Sequence, residues 1–129
     1  MNGYCFKSNL FEIEPGEDEK TNPNRFGKQL AHWLKGHFVE RGYQDAEAIP
    51  EDWGWCVMCS RSPYNSWIGC GNVDGKESQV LWKCFVEVEV SLIKRLFSRR
   101  NPMEVKADLE KELYEILSQS NDIEMMECP

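Results

Sequence analysis

The segment Gln79–Ile93, QVLWKCFVEVEVSLI, constrains the fold more than any other stretch of the chain. Trp82, Cys84, Val86, Val88 and Val90 occupy every second position, and Lys83, Glu87 and Glu89 fall between them. Successive strand side chains point to opposite faces, so this spacing predicts a strand in a sheet with one apolar and one wet face. An apolar sheet face has to be covered. Two amphipathic helices elsewhere in the sequence can cover it.

The first is predicted over 23–41. Asn22 supplies an N-cap acceptor, Pro23 suits the first helical position, and Gly42 ends the helix. Phe26, Leu30, Trp33, Leu34, His37 and Phe38 form its apolar stripe. The second starts at Asn101-Pro102, with Glu104 completing a capping box, and runs to about residue 119 through Val105, Leu109, Leu113, Ile116 and Leu117. Further strands are predicted at 5–14, Gly54–Arg61 and Ser66–Val73, with turns at SPYN and Asp74-Gly75-Lys76. The expected fold is α+β: a two-layer sandwich of about four antiparallel strands and two helices, in the order β-α-β-β-β-α. The 129 residues form a single domain, whose tail at 120–129 frays or docks through Met125 and Met126.

No apolar run is long enough to span a bilayer, and the first fourteen residues lack the basic-then-apolar pattern of a secretory leader. Cytoplasmic residence is therefore expected, with Cys5, Cys56, Cys59, Cys70, Cys84 and Cys128 all reduced and no membrane partner. The formal net charge is -7. Basic residues gather at 83–100 and acidic ones at 103–129, which does not favour a nucleic-acid binder; Lys94, Arg95, Arg99 and Arg100 are the small cluster that such a reading would use.

Trp55-Cys56-Val57-Met58-Cys59 resembles the start of a thiol redox site or half of a zinc site. Within a strand, however, residues three apart face opposite ways, so Cys56 and Cys59 cannot share a metal or a disulfide. No second Cys-x-x-Cys follows, and redox pairs sit at helix starts that Ser60-Arg61-Ser62-Pro63 cannot extend. The reading is two buried thiols, with no metal and no cofactor. His32 and His37 miss the four-residue spacing of a zinc helix, so His37 is read as partly buried and His32 as surface. Gly69-Cys70-Gly71 lacks phosphate-loop spacing and marks a bulge or a close approach.

Two groups remain as binding candidates. Glu14, Glu17, Asp18 and Glu19 form an acidic stretch suited to a solvated loop or to a basic protein partner. Asp52, Trp53, Trp55, Tyr64, Trp67 and Asn72 gather aromatic and polar side chains near strand ends. The alternation places Trp53, Trp55 and Val57 on one face, with Cys56 and Met58 on the other. Five tryptophans exceed what a small core needs, and those left at a surface anchor partners.

The run Asn22-Pro23-x-x-Phe26-Gly27-x-x-Leu30-Ala31-x-Trp33-Leu34, then Gly42-Tyr43, Glu51-Asp52-Trp53-Gly54-Trp55 and Trp67-x-Gly69-Cys70-Gly71-Asn72, resembles a family of small stand-alone bacterial proteins of uncharacterised function. The resemblance spans residues 9 to about 72, implies a bacterial or phage origin, and carries no activity. The function expected is a non-catalytic interaction module, an immunity-type inhibitor or accessory protein that binds a basic protein partner. The alternative is a small-ligand binder or enzyme with a tryptophan-lined pocket between sheet and helices. The sequence does not set the oligomeric state. A long third strand at a sheet edge would offer pairing to a second copy.

Overall fold

A computed structural model describes residues 3–73 and 81–129. The turn expected at Asp74-Gly75-Lys76, and the first residues of the strand expected from Gln79, lie outside the described residues. The chain runs β1 (Tyr4–Lys7), a 3-10 turn at Glu17–Glu19, α1 (Lys28–Glu40), β2 (Glu47–Glu51), β3 (Gly54–Ser60), β4 (Asn65–Asn72), β5 (Leu81–Glu89), α2 (Leu92–Phe97), α3 (Pro102–Gln119) and β6 (Glu124–Met126). The fold is α+β, with one antiparallel sheet in the order β2-β3-β4-β5-β1-β6.

The alternation in β5 sets the layers. Trp82, Cys84 and Val86 are buried with Phe6, Trp55, Val57 and Ile68 from neighbouring strands. Leu30, Leu34 and Phe38 of α1 and Leu109, Leu113, Ile116 and Leu117 of α3 close that core, so both long helices lie on one face of the sheet. Burying a side chain of this kind contributes roughly 1.5–3 kcal/mol. Among the described residues the indole N–H groups of Trp55 and Trp82 find no hydrogen-bond partner there, which subtracts about 1–3 kcal/mol each.

Among the described residues there are two more strands and one more helix than the sequence suggests. β2 is a five-residue edge strand containing Pro50, a residue that edges tolerate because it has no N–H to donate. β6 has three residues and pairs with β1, so the tail docks, with Met126 opposite Cys5 and Met125 opposite Phe6. The predicted long strand stops at Glu89. Ser91 then caps α2, its hydroxyl accepting the Lys94 N–H at 3.1 Å. β5 also lies between β4 and β1, not at an edge, so its backbone is already paired.

Other boundaries move for identifiable reasons. β1 ends at Lys7 because the Ser8 hydroxyl accepts the Leu10 N–H at 3.0 Å and donates to the Asp122 carbonyl at 2.7 Å. Phe11 leaves the strand but still buries edge-on against Trp33 and Trp82, 5.3 and 6.1 Å between ring centres. Helix α1 begins at Lys28, not at Pro23: Asn24 adopts a left-handed φ of 67°, Gly27 a φ of 145°. The segment before α1 is instead held by the Asn72 side chain, which accepts from Phe26 N at 3.0 Å and donates to the Asn24 carbonyl at 3.1 Å. The start of α3 follows the sequence closely, with Asn101 Oδ1 accepting the Met103 N–H at 2.8 Å.

Cys5 and Cys128 form a disulfide across 123 residues of sequence, which corrects the expectation of six reduced cysteines. The antiparallel pairing of β1 with β6 brings the two together; neither spacing nor local pattern announces it. No helix among the described residues is long and apolar enough to cross a membrane.

Candidate functional site: the aromatic face of the sheet

Strand β3 is extended, as the reading of Cys56 and Cys59 requires. Cys59 belongs to the core with Trp55 and Val57, whereas Cys56 points to the other face, opposite Gly69 of β4. Both thiols are free and buried, as are those of Cys70 and Cys84, cross-strand neighbours in β4 and β5. Burial first, then the neighbouring Cys70 and the carboxylates of Glu51 and Glu89, push the Cys56 thiol up to about 12. Burial likewise raises Cys59 and Cys70. These thiols are poor nucleophiles at neutral pH.

Among the described residues no long helix lies on the face that carries Cys56. On that face the Phe85 ring of β5 lies over Gly69 of β4 and beside Trp67, and Trp53 from the β2–β3 turn packs on both Trp67 and Phe85. Trp53 stacks on Trp67 with centroids 5.7 Å apart and planes at 27°, and it lies 5.6 Å from Phe85; Trp67 and Phe85 are 5.9 Å apart. Gly69 makes this packing possible, since a Cβ there would overlap the Phe85 ring. The strand rule expects Trp53 beside Trp55, but the turn reverses at Gly54 (φ 154°), whose α-carbon comes so close to the Cys70 carbonyl that no side chain fits. The backbone thereby turns Trp53 onto the opposite face.

Carboxylates border the aromatic group. Glu47, Glu51 and Glu87 lie in register with Met58, Gly54 and Trp67, and the Trp67 indole donates to Glu89 at 3.0 Å. Among the described residues the only ion pair made by these four is a 3.9 Å contact from Glu47 to Arg61. Lys83, two residues before Phe85 in β5, is on the same face, opposite Gly71; around Trp53 and Trp67 the four glutamates still set π surface beside negative charge, which suits a cation on an apolar support.

Of the expected binding residues, the structure brings Trp53 and Trp67 together here, with exposed Asp52 beside Trp53 in the same turn. Trp55 and Tyr64 are buried, Tyr64 donating to the Arg100 carbonyl at 2.6 Å. Asn72 holds the approach to α1. The acidic stretch lies elsewhere and is largely engaged: Glu17 is buried against the α1 N-terminus, Asp18 accepts the Asn24 N–H at 3.0 Å, and Glu14 pairs with Lys28 at 2.8 Å. Glu19 is exposed. Phe85 and the four bordering glutamates were not expected as a site; the alternation in β5 already put Glu87 and Glu89 on that face, but nothing local placed Phe85 against two indoles.

A separate groove of about 470 Å³ lies between the β3–β4 turn and α3. Arg41, Tyr43, Pro63, Arg100 and Asp108 line it, and no tryptophan does. Its charges largely neutralise one another, Arg41 with Glu115 at 2.9 Å and Arg100 with Asp108 at 2.6 Å. Tyr43 donates to Glu112. His37 packs on Trp33 and exposed His32 on Trp55, on the helix side of the sheet. Among the described residues no three His, Cys, Asp or Glu side chains converge as a metal site would require.

The fold and this face define an α+β protein whose antiparallel sheet has both long helices on one side and the Trp53–Trp67–Phe85 group with its bordering glutamates on the other. Comparison with family models, with curated proteins and with solved structures finds no match to the chain.

Proposed function

We propose that the chain is a non-catalytic interaction module that binds a basic protein partner through the Trp53–Trp67–Phe85 face. The observation that supports this most is the combination of three mutually packed aromatic rings with four bordering glutamates on a sheet face without a long helix. Aromatic side chains in such positions contribute most of the binding energy at interfaces, and carboxylates around them select and steer cationic partners. An Arg or Lys of the partner would lie over the Trp53 or Trp67 ring, where a cation gains about 0.5–2 kcal/mol. An immunity-type inhibitor or accessory protein is the kind of molecule this describes.

Affinity capture with the native chain, with Trp67→Ala and with Glu51→Lys/Glu87→Lys tests it, the partner being identified by mass. A basic protein held by the native chain, and lost from both variants and at high salt, is the expected result. A partner retained by both variants overturns the reading. Cytoplasmic residence and a lasting Cys5–Cys128 bond pull in opposite directions, because cytosolic reductants remove such bonds. A thiol count on protein taken directly from its cells decides between them.

A further inference from the structure

Helix α2 is amphipathic yet buries none of its residues. Leu92, Ile93, Leu96 and Phe97 share one side of the helix by their spacing and are 75, 70, 70 and 84% exposed. On the other side Lys94 reaches back to the body and donates to the Arg61 carbonyl at 3.2 Å. A continuous apolar surface of this kind marks a docking site, whereas scattered apolar exposure does not. Its charge is also particular: Arg95 on the helix and Arg99 just beyond it are exposed and pair with no carboxylate among the described residues.

An apolar helix bearing unpaired cations is the ligand that the aromatic, acidic face of the same chain suits. The two surfaces lie near each other along the chain. Glu89 ends β5 and binds the Trp67 indole, and Leu92 opens α2 three residues later. Within one chain they do not meet, since the α2 side chains are open to solvent. We propose that α2 of one copy docks on the Trp53–Trp67–Phe85 face of a second copy, and that the second copy's α2 docks reciprocally on the first. A single two-fold axis satisfies both contacts, because each copy contributes the same pair of surfaces, and the interface closes without leaving a free end. The proposal rests on the reading of that face as a site for basic apolar segments and names one such segment. An external partner then competes with self-association.

Sedimentation velocity over a concentration series tests it with charge exchange. Arg95→Glu/Arg99→Glu reverses the helix and Glu51→Lys/Glu87→Lys reverses the face. Each variant alone is expected to lose about tenfold or more in self-association, and an equimolar mixture of the two to recover it as a heterodimer in which both contacts are complementary. Leu96→Asp/Phe97→Asp, both positions being exposed, is expected to be monomeric with unchanged near-ultraviolet circular dichroism. A native chain that stays monomeric at high concentration overturns the proposal, as does a mixture that forms no heterodimer. Sedimentation of the monomeric native chain with phosphatidylserine-containing vesicles, lost in Leu96→Asp/Phe97→Asp, also overturns it, in favour of a lipid surface. An arginine-rich peptide titrated into Leu96→Asp/Phe97→Asp reads the face alone. Binding there without self-association of the native chain sinks the dimer but leaves the proposed function standing, whereas no peptide binding removes the reading on which both rest.

Discussion

Glu17 Oε2 lies 3.0 Å from the amide nitrogen of Gly27 and caps a helix to which it does not belong. The same oxygen accepts the Lys28 N–H at 3.1 Å, and Oε1 accepts from Glu14 at 2.8 Å. A buried carboxylate thus satisfies the start of α1, where the orphan amides and the helix dipole both favour negative charge. Glu17→Ala leaves three amides without this acceptor and is expected to cost about 2–3 kcal/mol in urea denaturation. Glu17→Gln, which keeps one carbonyl acceptor, should fall between the two. Equal stability of Glu17→Ala and the native chain would show that the cap contributes nothing.

Gly69 and Phe85 allow a test of the aromatic face from below. Gly69→Ala puts a methyl group where the Phe85 ring sits and forces the ring outward. The expected loss is about 1–3 kcal/mol, the usual range for overpacking. Near-ultraviolet circular dichroism should change with it, because Trp53 and Trp67 pack on the displaced ring. An unchanged spectrum would mean that the three rings are not packed as a unit.

Tyr43 binds Glu112 across the α1–α3 side of the groove. Burial, then the hydrogen bond and the charge of Glu112, raise its phenol above the ordinary value. The unfolded phenol ionises near pH 10 while the folded one keeps its proton, so folding takes up a proton there. The contribution of Tyr43 is therefore fully present below pH ~10 and declines as pH rises further. Tyr43→Phe is expected to be less stable than the native chain by about 1–3 kcal/mol at pH 8. That gap should narrow above pH ~10. A gap that widens with pH contradicts the assignment.

The cysteines divide by chemistry. Cys56, Cys59, Cys70 and Cys84 are buried free thiols, and Cys5 and Cys128 are joined. Ellman's reagent should find almost no reactive thiol in the native protein, four after denaturation without reductant, and six after reduction. Reduction of Cys5–Cys128 should lower stability by about 2–4 kcal/mol, with Glu124–Met126 losing hydrogen-exchange protection before the rest of the sheet. Six thiols in denatured, unreduced protein would contradict the bond.

Sequence alone determined those parts of the protein whose causes lie within a turn or two of chain. The alternation in β5, the apolar stripes of both long helices, the Asn101 cap and the divergence of Cys56 from Cys59 all follow from periods of two or three to four residues. Tertiary structure decided what depends on contacts between distant residues. The start of α1 was set by Glu17 and by Asn72, ten and 46 residues from the amides they bind, and so overrode a good local signal at Asn22-Pro23. The side on which Trp53 lies was decided by a turn at Gly54 pressed against the Cys70 carbonyl. The joining of Cys5 to Cys128 waited on a three-residue strand with no periodicity to read. Local patterns record which residues seek burial; only the packed chain decides which amides, rings and sulfurs end within bonding distance.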